Sequence, residues 1–143
     1  MSTRDLKALE RRFVNEFNKG KRAAMAVNDE LVDTNIIIHT SDGRDIRGLK
    51  DAKQYVSPLF DAFPDVHFTI DDIVVEGDKA VVRWTWTGTH KSEFMGIPPT
   101  NKKMTGWTIQ IDRIVGGKIA EIWERMDTLG FMQQLGFVPT PKK

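Results

Sequence analysis

The 143-residue sequence contains no cysteine. That absence removes disulfides, thiolate metal sites and thiol nucleophiles together, and it agrees with a reducing compartment. A predominant charge is also missing: 21 Lys and Arg stand against 20 Asp and Glu, a net charge of +1. Such a balance gives no general field to draw in nucleic acid or an anionic membrane, so neither is expected as a partner. Long apolar runs are lacking too. Met1-Ser2-Thr3-Arg4-Asp5 opens into a charged amphipathic stretch rather than an apolar leader core, and no run approaches membrane-spanning length. The expectation is a cytoplasmic protein in which 1–143 form one domain, long enough to bury its own core.

Signature motifs are equally scarce. There is no G-x-G-x-x-G after a strand, no G-x-x-x-x-G-K-[ST], no H-E-x-x-H and no G-x-S-x-G, so dinucleotide, phosphate-loop, zincin and α/β-hydrolase chemistry lose their usual warrants. The three histidines His39, His67 and His90 are far apart in sequence, and a metal site would need them to converge with a carboxylate. No cofactor and no metal are expected.

What is present is a change of period. From Asp5 to Lys19, Leu6, Leu9, Phe13 and Phe17 recur at helical spacing, and Gly20 stops the helix. A second helix is predicted over Lys21 to Leu31, a short strand over Asn35 to His39, and a turn over Ser41 to Asp45. Leu49, Ala52, Val56, Leu59 and Phe63 restore the helical period, with Pro58 expected to kink it. After residue 66 the pattern is extended: His67 to Glu76, Lys79 to His90, Met104 to Val115 and Lys118 to Arg125 read as strands. The turns Gly77-Asp78 and Gly116-Gly117 favour antiparallel neighbours. Lys91 to Lys103 holds Pro98 and Pro99 and reads as a rim or lid, Thr128 to Leu135 as a short helix, and Gly136 to Lys143 as a tail. Helices first and a meander of strands afterward make an α+β pattern.

All four tryptophans lie in these strands. Alternation puts Trp107, Ile109, Ile111 and Arg113 on one face, which is taken to point inward, with Thr108, Gln110 and Asp112 on the other. Trp84, Trp86 and His90 share a face of their strand, as do Ile119, Glu121, Trp123, Arg125 and Asp127 of the last. The tryptophans fill a core on one reading; on another they line a pocket for a flat apolar ligand with His90, Arg113, Glu121 and Asp127 as polar handles. Asp127, immediately before Thr128-Leu129-Gly130-Phe131, also has the pattern of a helix N-cap.

The stretches Gly88-Thr89-His90, Phe94-Met95-Gly96-Ile97-Pro98-Pro99-Thr100, Gly106-Trp107, Gly116-Gly117-Lys118-Ile119, Glu121-Ile122-Trp123, Asp127 and Gln133-Gln134-Leu135-Gly136 resemble the C-terminal half of SnoaL-like polyketide cyclases, within the nuclear-transport-factor-2-like superfamily. The resemblance implies a cone of curved antiparallel sheet with three helices around a pocket, and a cofactor-free intramolecular aldol condensation. It implies Asp127 as the acid/base aspartate and His39 as a second catalytic position, with His90 as a donor and Trp86, Trp107, Trp123, Ile111 and Arg113 around an apolar substrate. Where the family commonly reads Pro-Pro-Thr-Gly-Lys this chain has Asn101, the residue best able to keep a left-handed turn without glycine. Two other uses of the fold stay open: a non-catalytic carrier of a small apolar molecule, and an epoxide-hydrolase-like enzyme in which Arg113 bridges Asp127 and Glu121. One uncovered sheet face leads to the expectation of a homodimer.

Overall fold

In the computed structural model, which describes residues 1–137, the elements run α1 (Thr3–Phe17), α2 (Lys21–Leu31), β1 (Val32–His39), β2 (Asp45–Arg47), α3 (Leu49–Ala62), β3 (His67–Glu76), β4 (Lys79–Thr89), β5 (Lys103–Val115), β6 (Lys118–Met126) and α4 (Thr128–Gln134). The α+β reading holds. Most of the tail expected beyond Gly136 lies outside the described residues. α1 begins before Asp5 because Ser2 and Asp5 form a reciprocal cap: Ser2 Oγ accepts from the Asp5 amide, and Asp5 Oδ2 accepts from the Ser2 amide, each at 3.1 Å. Asn101 does adopt the left-handed conformation, at φ 58°.

The six strands form one sheet in the order β2-β1-β6-β5-β4-β3. It is mixed, not wholly antiparallel as the pattern suggested: β1 runs parallel to β6, with Ile38 opposite Ile122 and His39 opposite Trp123. The short β2 is not expected from the sequence, where the turn ends at Asp45 and three residues carry too little periodicity to register; it pairs antiparallel with β1. α1 packs on β3 and β4, and α2 and α3 on β1, so the helices cover one face of the sheet.

That one-sided cover reverses the expected orientation of β5. Met104, Gly106, Thr108, Asp112 and Ile114 are the buried set, while Trp107 and Ile109 are 45% and 40% exposed. Trp107, Ile109, Ile111 and Arg113 therefore face away from the helices. The inward assignment fails because the covered face here carries polar residues and the open face apolar ones, the opposite of the usual pattern for a half-covered sheet. Two apolar clusters lie under the helices. One gathers Phe60, Phe63, Phe68, Trp86, Met104 and Phe131, and the other Leu6, Leu9, Ile36, Ile38, Ile114 and Ile119.

β5 crosses the first cluster at Gly106, which is Cα partner to Trp86. A methyl group there would overlap the Trp86 indole. Gly106→Ala should accordingly destabilise the protein by about 1–3 kcal/mol, the usual range for overpacking a core. Urea denaturation with an unchanged m-value checks this, and full stability would show that the indole has room to move.

Candidate functional site

Between the two apolar clusters the covered face carries a polar seam. Its first member follows from helix geometry: Glu10 falls on the apolar stripe of α1 between Leu9 and Phe13, so docking the helix buries it to 2% exposure. Across from it Asp112 of β5 is fully buried, and Glu10 hydrogen-bonds to it. Gln110, two residues back on the same face, donates through Nε2 to both Asp112 oxygens at 2.9 and 3.1 Å, and its Oε1 accepts from Trp84 Nε1 at 2.9 Å. The cross-strand partner of Gln110 is Glu124 of β6, placing their side chains side by side. Tyr55 of α3 donates its hydroxyl to Glu124 Oε1. Glu124 is only partly buried, and the adjoining β1–β2 loop presents exposed Asp42 and Arg44, with the Arg44 guanidinium 5.8 Å from the Tyr55 ring centre. The seam therefore reaches solvent at its Glu124 end.

The electrostatics push all three carboxyl groups the same way. Burial holds the Glu10 acid well above the ordinary glutamate range, and the neighbouring Asp112 charge adds to this. Burial raises Asp112 to about 6, against hydrogen bonds from Glu10 and Gln110 that favour its carboxylate. Glu124 is raised chiefly by burial; the Tyr55 hydroxyl opposes this, the charges of Asp112 and Asp42 add to it, and Arg125 opposes it weakly. Tyr55 itself is pushed far up, by burial and then by Glu124, and remains a phenol donor. Each of the three therefore holds its proton to higher pH than a free carboxyl does, the reverse of what a bound metal ion would impose. Among the described residues no group of three or more His, Asp or Glu is placed to hold one.

The residues singled out from sequence divide between the two sheet faces. Trp86 and His90 are on the covered face, in the aromatic cluster: Trp86 meets Phe63 edge-on at 4.9 Å, and His90, wholly buried, stacks on Phe63 at 5.4 Å. His90 Nδ1 lies 3.0 Å from the Thr100 hydroxyl and 3.2 Å from the Thr100 amide, and Nε2 is buried without a partner. His39, Trp107, Ile111, Arg113 and Trp123 are on the open face. There the His39 ring lies between Asp45, 2.9 Å from Nδ1, and Glu121, 2.7 Å from Nε2, and stacks on Trp123 at 5.4 Å. Arg113 donates to Glu121 through Nε and Nη2 at 3.2 and 3.1 Å. The thickness of the sheet keeps this group from converging with His90 on one pocket, as the sequence reading had supposed.

Asp127 caps α4: its Oδ1 accepts from the Gly130 amide at 2.9 Å. It stands six residues from Glu121 along the chain, about 20 Å in extended backbone, too far for one guanidinium to bridge both. Two open clefts, of about 340 and 380 Å³, occur elsewhere; the first is lined by Met25, Lys53 and Pro58 among others, the second by Val74, Lys79 and Ile111. Sequence reasoning passed over Glu10, Tyr55 and Glu124, and set Gln110 and Asp112 on the outside. Only Glu10 left a signal, as an acid on an apolar stripe.

The sequence profile of the SnoaL-like polyketide cyclases matches residues 8–135. The aklanonic acid methyl ester cyclase DnrD of Streptomyces peucetius is 29% identical over 138 residues, covering 94% of this chain and 93% of that protein. Among solved structures, AclR from Streptomyces galilaeus superposes with a TM-score of 0.87 at 27% identity, covering 99% of this chain and 91% of the other. TsrD from Streptomyces laurentii superposes at 0.84 with 28% identity, covering 96% and 99%.

The open-face network makes a pH-dependent contribution to stability. Hydrogen bonds to Glu121 and then Asp45 raise the His39 pKa above 6.5. The sign follows by linkage: the stabilisation is fully present below the unfolded value of about 6.5 and is lost as pH rises through the higher folded value. His39→Asn should therefore lower the unfolding free energy more at pH 5.5 than at pH 9, as measured by urea titration at both. An equal loss at the two would mean that the ring contributes packing on Trp123 alone.

Proposed function

Since this chain belongs to the SnoaL-like polyketide cyclase family, we propose that it is a cofactor-independent acid/base enzyme acting on a carbonyl-bearing, largely apolar small molecule, with Glu124 moving the proton. The observation that carries this reading is the setting of Glu124: raised by burial, met by the Tyr55 hydroxyl, and at the end of the seam that reaches solvent. As a carboxylate it would take a proton from the carbon between or beside carbonyl groups. The enolate carbon then bonds to a second carbonyl carbon, and the proton returns to the new alkoxide. A base with its pKa raised toward neutrality suits this work because it can serve in both directions at one pH. Tyr55 is a donor able to hold a developing oxyanion. Trp84, partly exposed and hydrogen-bonded to Gln110 of the seam, favours flat apolar substrates.

The name of DnrD suggests the first compound to try, aklanonic acid methyl ester, with polycyclic ketones tried beside it. In deuterated buffer, wild-type protein should exchange the acidic carbon-bound proton of such a ketone, read by proton NMR. Glu124→Gln should slow exchange by about 10²- to 10⁴-fold. Asp127→Asn should keep it, with at most about 1 kcal/mol of stability lost with the cap. Exchange abolished by Asp127→Asn and spared by Glu124→Gln would transfer the role to Asp127; a compound bound without exchange would favour a carrier.

We also propose that the open face pairs with a second copy of this chain. Trp107, Ile109, Val74 and Val115 are all at least 40% exposed on the face of the sheet that the helices leave bare, and large apolar side chains on an uncovered sheet face are suited to an isologous contact. Sedimentation at micromolar concentration should give a dimer, and Trp107→Glu a monomer. A monomeric wild-type protein would overturn this.

A further inference from the structure

Two of the three seam carboxyls, Glu10 and Asp112, take no part in the steps above, yet both are almost wholly buried. Burying two acids side by side is unfavourable if both ionise, since like charges in a dry site repel strongly. The hydrogen bonds show how the pair is arranged. Asp112 accepts both Gln110 contacts, as a carboxylate should. Glu10 Oε1 is buried and receives no donor. A bare carboxylate in that position would be severely penalised, whereas a protonated acid is tolerated, and its hydroxyl can donate to Asp112.

Resting on the reading of Glu124 as the proton carrier, we infer that Glu10 and Asp112 are positioning residues: a buried carboxyl pair sharing one proton, whose remaining negative charge and grip on Gln110 set how readily Glu124 takes up and releases its own. Asp112 reaches Glu124 in two ways. Its charge disfavours a second negative charge on Glu124. Its hold on one end of the Gln110 amide, with Trp84 at the other, fixes the side chain that lies beside Glu124 on the neighbouring strand. The other groups facing Glu124 are Tyr55 from α3 and Asp42, with Arg44, from the β1–β2 loop; Arg125 acts from its own strand. Asp112 is the one ionised group of this set held wholly out of water, so its influence is the least screened.

The test needs no substrate. Side-chain carboxyl ¹³C shifts of Glu10, Asp112 and Glu124 are followed by NMR from pH 3 to 9 in the full-length protein. In the wild type, Glu124 should titrate above the ordinary glutamate range, with a second inflection near 6 where Asp112 titrates, while Glu10 stays protonated through neutrality. Asp112→Asn should bring the Glu124 midpoint down and remove that inflection. Glu10→Gln, whose amide still donates to Asp112, should leave Glu124 unmoved. A Glu124 curve with one inflection, or a raised midpoint that Asp112→Asn does not lower, overturns the inference and leaves the proposed role of Glu124 intact. An ordinary Glu124 midpoint in the wild type overturns both. If Asp112→Asn does not fold, the wild-type inflection alone decides.

Discussion

A carboxylate survives inside a protein only where donors meet it, and Asp112 imposes that requirement on everything packed around it. It takes the Gln110 amide from its own strand and the Glu10 acid from α1. Gln110 must in turn be turned so that its oxygen receives the Trp84 indole proton, which ties β4 to β5 by side chains as well as backbone. The register of three elements is thereby specified by polar contacts in a region where apolar packing alone would tolerate several arrangements. The apolar clusters on either side supply the dryness that gives these contacts their strength.

The element order was legible because it rests on local signals: the period of Leu6, Leu9, Phe13 and Phe17, the glycine stops, the two-residue turns. Parallel pairing of β1 with β6 was not, since those strands meet only after the whole chain has folded and nothing in either segment names its partner. The resemblance carried over the family and the overall class, and it also directed attention to Asp127 at the end of the last strand. The acid that alternation sets on the covered face of that strand is Glu124, with Ile122 and Met126, opposite Gln110.

The face assignment went astray for one physical reason. Alternation says which residues share a face and nothing about which face is covered. The usual arbiter is hydrophobicity, and β5 defeats it: Trp107, Ile109 and Ile111 look like core beside Thr108, Gln110 and Asp112. A covered side that is polar at its centre fits the proton-transfer role proposed for it, and an apolar bare side fits the proposed pairing with a second copy. Departure from the ordinary pattern on both faces of one strand is thus itself a functional signal.

His90 extends the argument to the opposite end of the covered face. Its Nδ1 is satisfied by Thr100, which anchors the base of the loop after β4, while the ring stacks on Phe63 and Nε2 is left buried with no hydrogen-bond partner. Ile97 and Phe94, bridged to one another across the tip of that loop, fill the adjoining space. An unpaired polar nitrogen in a dry aromatic setting is unfavourable by roughly 1–3 kcal/mol, a cost that phenylalanine at this position would not carry. The aromatic cluster therefore carries the same mark as the seam, a polar group kept at a cost in stability. The two marks lie on one face of one sheet, with Trp84 and Trp86 of β4 running between them.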